Sequence, residues 1–137
     1  MNFLTQIDNL ALIALLLVSG AALFFPTLST LISGKGLSPT EATIWMNRRK
    51  AAVLDLRPES DFKAGHLPGA KHLSAEQIPS GIDKLKLDRK NPIILVCHSG
   101  MSARKVVPEL KKLGFSEVAV LDGGVQGWQA AALPLVK

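Results

Sequence analysis

The run Ile93-Ile94-Leu95-Val96 restricts the fold of this chain more than any other feature. Four consecutive branched aliphatic residues leave no polar face. A strand made of them must be covered on both sides, as an interior strand of a parallel sheet is. The strand stops at Cys97, the only cysteine in the chain. Cys97-His98-Ser99-Gly100-Met101-Ser102 then leads into helix-forming sequence as far as Leu113. Such a strand–loop–helix passage can turn backbone N–H groups toward one atom, and the start of the helix adds positive potential. Sulfur held there is favoured as the thiolate, its nucleophilic form. The competing reading is a cysteine buried as one more inert apolar side chain.

A single cysteine excludes an internal disulfide and a built-in resolving partner, so whatever is loaded on Cys97 must leave to another molecule. With three scattered histidines it makes no metal-ligand pattern, and no metal or cofactor is expected. An unpaired reactive thiol suits a reducing compartment. The formal net charge is +5, yet aromatic residues are few and no nucleic-acid-reading motif is present. The basicity therefore suits small anionic substrates or an acidic lipid surface, and no nucleic-acid partner is expected.

Residues 1–32 are read as an N-terminal transmembrane anchor. Leu10 to Phe25 are apolar or small, and Asn9 to Leu28 supplies the roughly 20 residues that a helix needs to cross a bilayer core. A cleaved secretory leader would need a positively charged leading end, whereas Asp8 is the only charged side chain before Lys35. Lys35, Arg48, Arg49 and Lys50 follow the span. The positive-inside rule then places the N-terminus outside and the domain in the cytoplasm, on a single pass through a bacterial inner membrane. The small residues Ser19-Gly20-Ala21-Ala22 would admit a second helix closely, which leaves room for a membrane-protein partner.

Residues 33–36 read as a short flexible linker and 37–137 as the folded domain. Ser38-Pro39-Thr40-Glu41 is a helix start with a capping serine and a proline in the first turn. Ala42, Trp45 and Met46 share its inner face. Ala51 to Leu56 is a strand running into Arg57. Asp55 and Arg57 project from its end, where ligand crevices form in α/β sheets, and bracing of loops is favoured for them over direct catalysis. Glu59 to Ala64 reads as a short helix, Gly65 to Ala70 as a turn and Lys71 to Leu73 as a brief strand. Ser74 to Leu87 reads as helical with an interruption at Pro79-Ser80-Gly81. Pro108 should kink or shorten the helix after the cysteine loop. Val118 to Leu121 is the last strand and Val125 to Ala132 the last helix. This alternation means an α/β domain with a mainly parallel sheet and helices on both faces.

Three separated blocks resemble one family. Val53-Leu54-Asp55-Leu56-Arg57, with Asp61-Phe62 and Gly65-His66-Leu67-Pro68-Gly69-Ala70, is similar to the opening signature of rhodanese-like domains. Cys97-His98-Ser99-Gly100 resembles their active-site loop, and Gly123-Gly124-Val125-Gln126-Gly127-Trp128 their closing motif. The whole chain is similar to bacterial rhodaneses with one N-terminal span. The resemblance implies that Cys97 carries sulfur as a persulfide, taken from a small sulfane-sulfur donor such as thiosulfate and passed to a thiol or cyanide. It assigns the substrate cradle to His98, Ser99, Gly100, Met101 and Ser102, gives Asp55 and Arg57 a supporting role, and makes Gly123, Gly124 and Trp128 fold positions. Ser102 stands where many single-domain members carry arginine. Serine cannot supply a planar charged fork for an oxyanion, so donor preference is open, with Arg104 and Lys105 as the candidates to compensate.

Three functions compete on these residues. The first is a membrane-tethered sulfurtransferase. The second is a catalytically weak rhodanese-fold module that presents a binding surface at the cytoplasmic face of the membrane. The third, phosphate-ester or arsenate chemistry, is disfavoured, because those loops place arginine six residues after the cysteine and Ala103 stands there.

Overall fold

The computed structural model describes residues 7–137, with side chains of the first helix described from Asn9 to Phe25. The chain divides into two units, residues 1–32 and 33–137. The first unit is helix α1 (Ile7–Ser33), along which Leu16, Leu23 and Phe25 are exposed. Ser19 Oγ donates to the Leu15 carbonyl one turn back at 2.8 Å. Among the described residues no helix is long and apolar enough to cross a membrane. The described side chains end at Phe25, short of the roughly 20 that a bilayer core requires. The span read over Asn9 to Leu28 continues onto side chains outside the described residues, as does the part of the anchor before Ile7.

The second unit is a five-stranded sheet in which every pairing is parallel. In chain order it comprises β1 (Lys35–Leu37), α2 (Pro39–Arg48), β2 (Ala52–Asp55), α3 (Glu59–Ala64) and β3 (Lys71–His72). After these come α4 (Ile78–Gly81), β4 (Ile93–Val96), α5 (Met101–Arg104), α6 (Val107–Lys112), β5 (Val118–Leu121) and α7 (Gly124–Ala130). The spatial order is β1-β5-β4-β2-β3, which puts β4 in the centre.

The period of two along the strands divides the core. Ile93 and Leu95 of β4, with Leu54, Val118 and Val120, face one side, against Ile78 and Ile82 around α4 and Val107 and Leu110 of α6. Ile94 and Val96, with Val53, Ala119 and Leu121, face the other, against Ala42 of α2 and Val125 and Trp128 of α7. Helices thus cover both faces, as the unbroken aliphatic run demands. All four β4 side chains are fully buried. At about 1.5–3 kcal/mol for each such side chain, the strand is among the most firmly held parts of the sheet. Whatever follows its C-terminal end is correspondingly fixed.

Three expectations need correction. Lys35 and Gly36 are not a flexible joint. They pair with Ala119 and Val120 as edge strand β1. The helix expected from Ser102 to Leu113 is two short helices, α5 and α6, with Pro108 in the first turn of the second. Proline is tolerated there because a first-turn N–H has no intrahelical acceptor. Pro79 does not interrupt a helix either. It sits in the first turn of α4, which is flanked by 3-10 turns at Ala75–Gln77 and Ile82–Leu85. At the start of α2, Ser38 caps as its position suggested, its Oγ accepting from Glu41 N–H at 3.2 Å.

Candidate active site

Cys97 follows the last residue of β4, beside the end of β2, where Asp55 is in register with Val96. Its side chain is 4% exposed and borders the core that contains Leu56 and Ala103. Of the loop amides expected to face the sulfur, the structure directs that of Gly100, whose N–H donates to Cys97 Sγ at 2.9 Å. That contact is short for a donor to sulfur. The helix behind the loop is only α5, a four-residue turn, so the positive potential expected from a long helix is small here.

The loop rests on α7. Val125 N–H donates to the Cys97 carbonyl at 3.0 Å and Gln126 N–H to that of His98 at 3.4 Å. This approach needs glycine at 124. A Cβ there would lie 2.2 Å from the Cys97 carbonyl oxygen, and φ is +56°. Gly124 is therefore a fold position with a direct bearing on where the sulfur sits.

Asp55 and Arg57 form a buried ion pair, 0% and 6% exposed. Asp55 Oδ1 accepts from the Arg57 N–H and Nε, and Oδ2 from Nε and Nη2. Arg57 Nη2 also donates to the Gly65 carbonyl at 2.6 Å. The Arg57 carbonyl meets His72 Nε2 at 2.6 Å, a role that nothing in the sequence around His72 signals. The residue after Gly65, His66, pairs in both directions with Val136. Arg57 thus ties the end of β2 to β3, to the turn after α3 and, through that turn, to the C-terminal segment. Both Asp55 oxygens are occupied by these bonds, which makes bracing its task.

The remaining loop residues face outward. His98, Ser99, Met101 and Ser102 are exposed. Arg104 Nη2 is turned to Asp122 Oδ1 at 2.9 Å rather than standing free over the loop. Beside His98 lies a cleft of about 180 Å³, whose walls include Arg57, Asp61, His98, Gln126, Gln129 and Leu135. His98 Nε2 is 4.0 Å from Asp61 Oδ2 across it. Sequence reasoning did not assign Asp61, Gln126 or Gln129 to a site. They come from two helices far apart in the chain; Asp61 and Gln126 fall in the family-like blocks, and Gln129 carried no signal.

Comparison with known proteins agrees with this architecture. Residues 38–131 match the rhodanese-like domain family. The chain is 37% identical over 123 residues to the uncharacterized protein YibN of Escherichia coli, covering 89% of this chain and 85% of that protein. It is 32% identical over 97 residues to the thiosulfate sulfurtransferase GlpE of Pseudoalteromonas translucida, covering 71% of this chain and 90% of that protein. A solved thiosulfate sulfurtransferase from Pseudomonas aeruginosa superposes with a TM-score of 0.69 at 29% identity, over 75% of this chain but only 19% of that longer one. With a parallel sheet that delivers a lone cysteine into a glycine-containing loop, and with these relatives, the chain belongs to the rhodanese-like domain family.

Proposed function

We propose that the chain is a rhodanese-type sulfurtransferase in which Cys97 carries sulfane sulfur as a persulfide. The observation that carries this reading is the N–H of Gly100 aimed at Cys97 Sγ at the end of the central strand. In the loading step, the Cys97 thiolate attacks the outer sulfur of thiosulfate. The sulfur–sulfur bond of the donor breaks, its electron pair leaves on sulfite, and Cys97 keeps the sulfur as a persulfide. Gly100 aims its N–H at the nucleophile, and the exposed residues His98, Ser99, Met101 and Ser102 border the path of the donor. Two names support the assignment, since both GlpE and the Pseudomonas aeruginosa protein are thiosulfate sulfurtransferases.

The proposal includes a tether. Most described side chains of helix α1 from Leu10 to Phe25 are exposed and apolar, and the hydroxyl of Ser19 is satisfied within the helix, as an apolar medium requires. With Lys35 as the first basic residue, the domain faces the cytoplasm from an inner membrane, within reach of membrane-protein partners. Alkaline extraction of membranes from cells expressing the full chain tests this. Release into the soluble fraction would remove the tether from the proposal.

The low exposure of Cys97 favours a second reading, a rhodanese-fold binding module with negligible turnover. One measurement separates the two. Intact mass of the purified chain after thiosulfate treatment gains a single sulfur atom if the enzyme reading holds, and the gain is absent from Cys97→Ser. No gain with several sulfane donors leaves the binding module.

A further inference from the structure

The cleft beside His98 presents two opposite charges that the bracing network leaves open. Arg57 is the first. Its Nε and Nη2 are committed to Asp55 and Gly65, whereas Nη1 makes no hydrogen bond among the described residues. No buried, unsatisfied side-chain nitrogen or oxygen occurs among the described residues, so Nη1 is not sealed from solvent, and Arg57 is one of the residues that line this cleft. A guanidinium more than nine-tenths buried and clamped on its other edge is a preformed donor for a carboxylate. Asp61 is the second charge. Its carboxylate is partly exposed in the same cleft, and none of the ion pairs among the described residues joins it to Arg57. Gln126 and Gln129 add neutral amide groups from α7.

These features select a ligand. An anion alone would meet the Asp61 carboxylate, and a cation alone the Arg57 guanidinium. A molecule with both an ammonium and a carboxylate satisfies each. The volume of about 180 Å³ is small beside the roughly 300–1,000 Å³ of sites for drug-sized ligands, and suits something of amino-acid size. Resting on the sulfurtransferase reading, we propose that this cleft is the acceptor subsite and that the acceptor is a small zwitterionic aminothiol, free cysteine being the simplest. Arg57 Nη1 binds its carboxylate and Asp61 its ammonium, which directs the thiol past His98 toward Cys97. The acceptor loses its thiol proton to water, and its thiolate attacks the outer sulfur of the Cys97 persulfide. The bond from that sulfur to Sγ breaks, its electron pair returns to Sγ as thiolate, and the outer sulfur, protonated beforehand by water, leaves as the acceptor's persulfide. The sulfur moves with no external oxidant or reductant.

The test uses the full chain in detergent, loaded with thiosulfate and verified by mass before acceptor is added. Single-turnover discharge is then compared for L-cysteine, cysteamine, which lacks the carboxylate, and 3-mercaptopropionate, which lacks the ammonium. The half-saturating concentration should be about tenfold higher for cysteamine and about fivefold higher for 3-mercaptopropionate, the ammonium site being the more exposed to water. Asp61→Asn should remove the second preference and leave the first. Equal use of all three acceptors by a loaded chain overturns the subsite and leaves the sulfurtransferase reading intact. A chain that never loads fails the sulfurtransferase reading instead, and binding then decides the subsite. S-methyl-L-cysteine should shift the NMR signals of His98 and Gln129 in the unloaded chain, and N-acetyl-S-methyl-L-cysteine should not. Equal shifts, or none with either, overturn it.

Discussion

Gly124→Ala tests how the cysteine loop is held. The new Cβ would lie 2.2 Å from the Cys97 carbonyl oxygen and 2.6 Å from the carbonyl carbon and oxygen of His98, where ordinary contact begins at 3.4 Å. All three atoms are backbone and the surroundings are close-packed, so α7 and the loop must part by roughly 1 Å. Three costs follow. Alanine at φ +56° is strained by about 1–2 kcal/mol. Overpacking adds about 1–3 kcal/mol. The bonds from Val125 and Gln126 to the loop carbonyls weaken, at up to about 1 kcal/mol each. Against this, the less flexible unfolded chain returns about 0.4–1 kcal/mol. The net destabilisation is about 3–5 kcal/mol, a large part of the roughly 5–15 kcal/mol that holds a domain together. Urea unfolding read by tryptophan fluorescence measures it, because Trp45 and Trp128 both lie in the domain. Displacing the sulfur by this distance should also slow persulfide loading by about a hundredfold. Gly69→Ala is the control, with φ +75° but nothing within 4 Å of the added carbon, so it should cost only the strain of about 1–2 kcal/mol. If Gly124→Ala proves no more destabilising than Gly69→Ala, or loads sulfur at the parental rate, the account of the loop resting on α7 is wrong.

Three further outcomes follow from the same geometry. Asp55→Ala leaves the Arg57 guanidinium buried without its counter-charge and should cost about 3–5 kcal/mol by urea unfolding, whereas a loss below 1 kcal/mol would mean that the pair braces nothing. Trp128→Phe removes the 2.9 Å bond from Nε1 to the Pro134 carbonyl, at about 1 kcal/mol, and should speed amide exchange at Val136 while leaving Val96 unchanged. Ser102→Arg places a charged fork at an exposed position of the cysteine loop and should lower the KM for thiosulfate about tenfold with little change in kcat, and an unchanged KM would place the donor elsewhere.

Much of the α/β class can be read from short stretches. β4 and β5 are aliphatic runs that only a doubly covered sheet can accept, Ser38 and Pro39 mark the start of α2, and Pro108 marks the break between α5 and α6. Cys97 stood out for the same reason, as the first reactive atom after a buried strand. Each of these signals lies within a few residues of the structure that it specifies. The features that went unread depend on partners distant in sequence. Lys35–Leu37 has no strand pattern of its own and is a strand because β5 offers a free edge. Arg104, one of two candidates to compensate for the absent loop arginine, is turned aside by Asp122, which follows β5.

The identity of β2 to β5, the place of Cys97 at the end of a buried strand and the alternation of elements were therefore determined by sequence alone, since periodicity and turn chemistry act locally. Strand order, the approach of Gly124 to the Cys97 carbonyl and the cleft that brings Arg57 and Asp61 beside His98 were decided only by tertiary packing. Those features arise where segments many residues apart exclude water together, and no local window of the chain contains both sides of the contact.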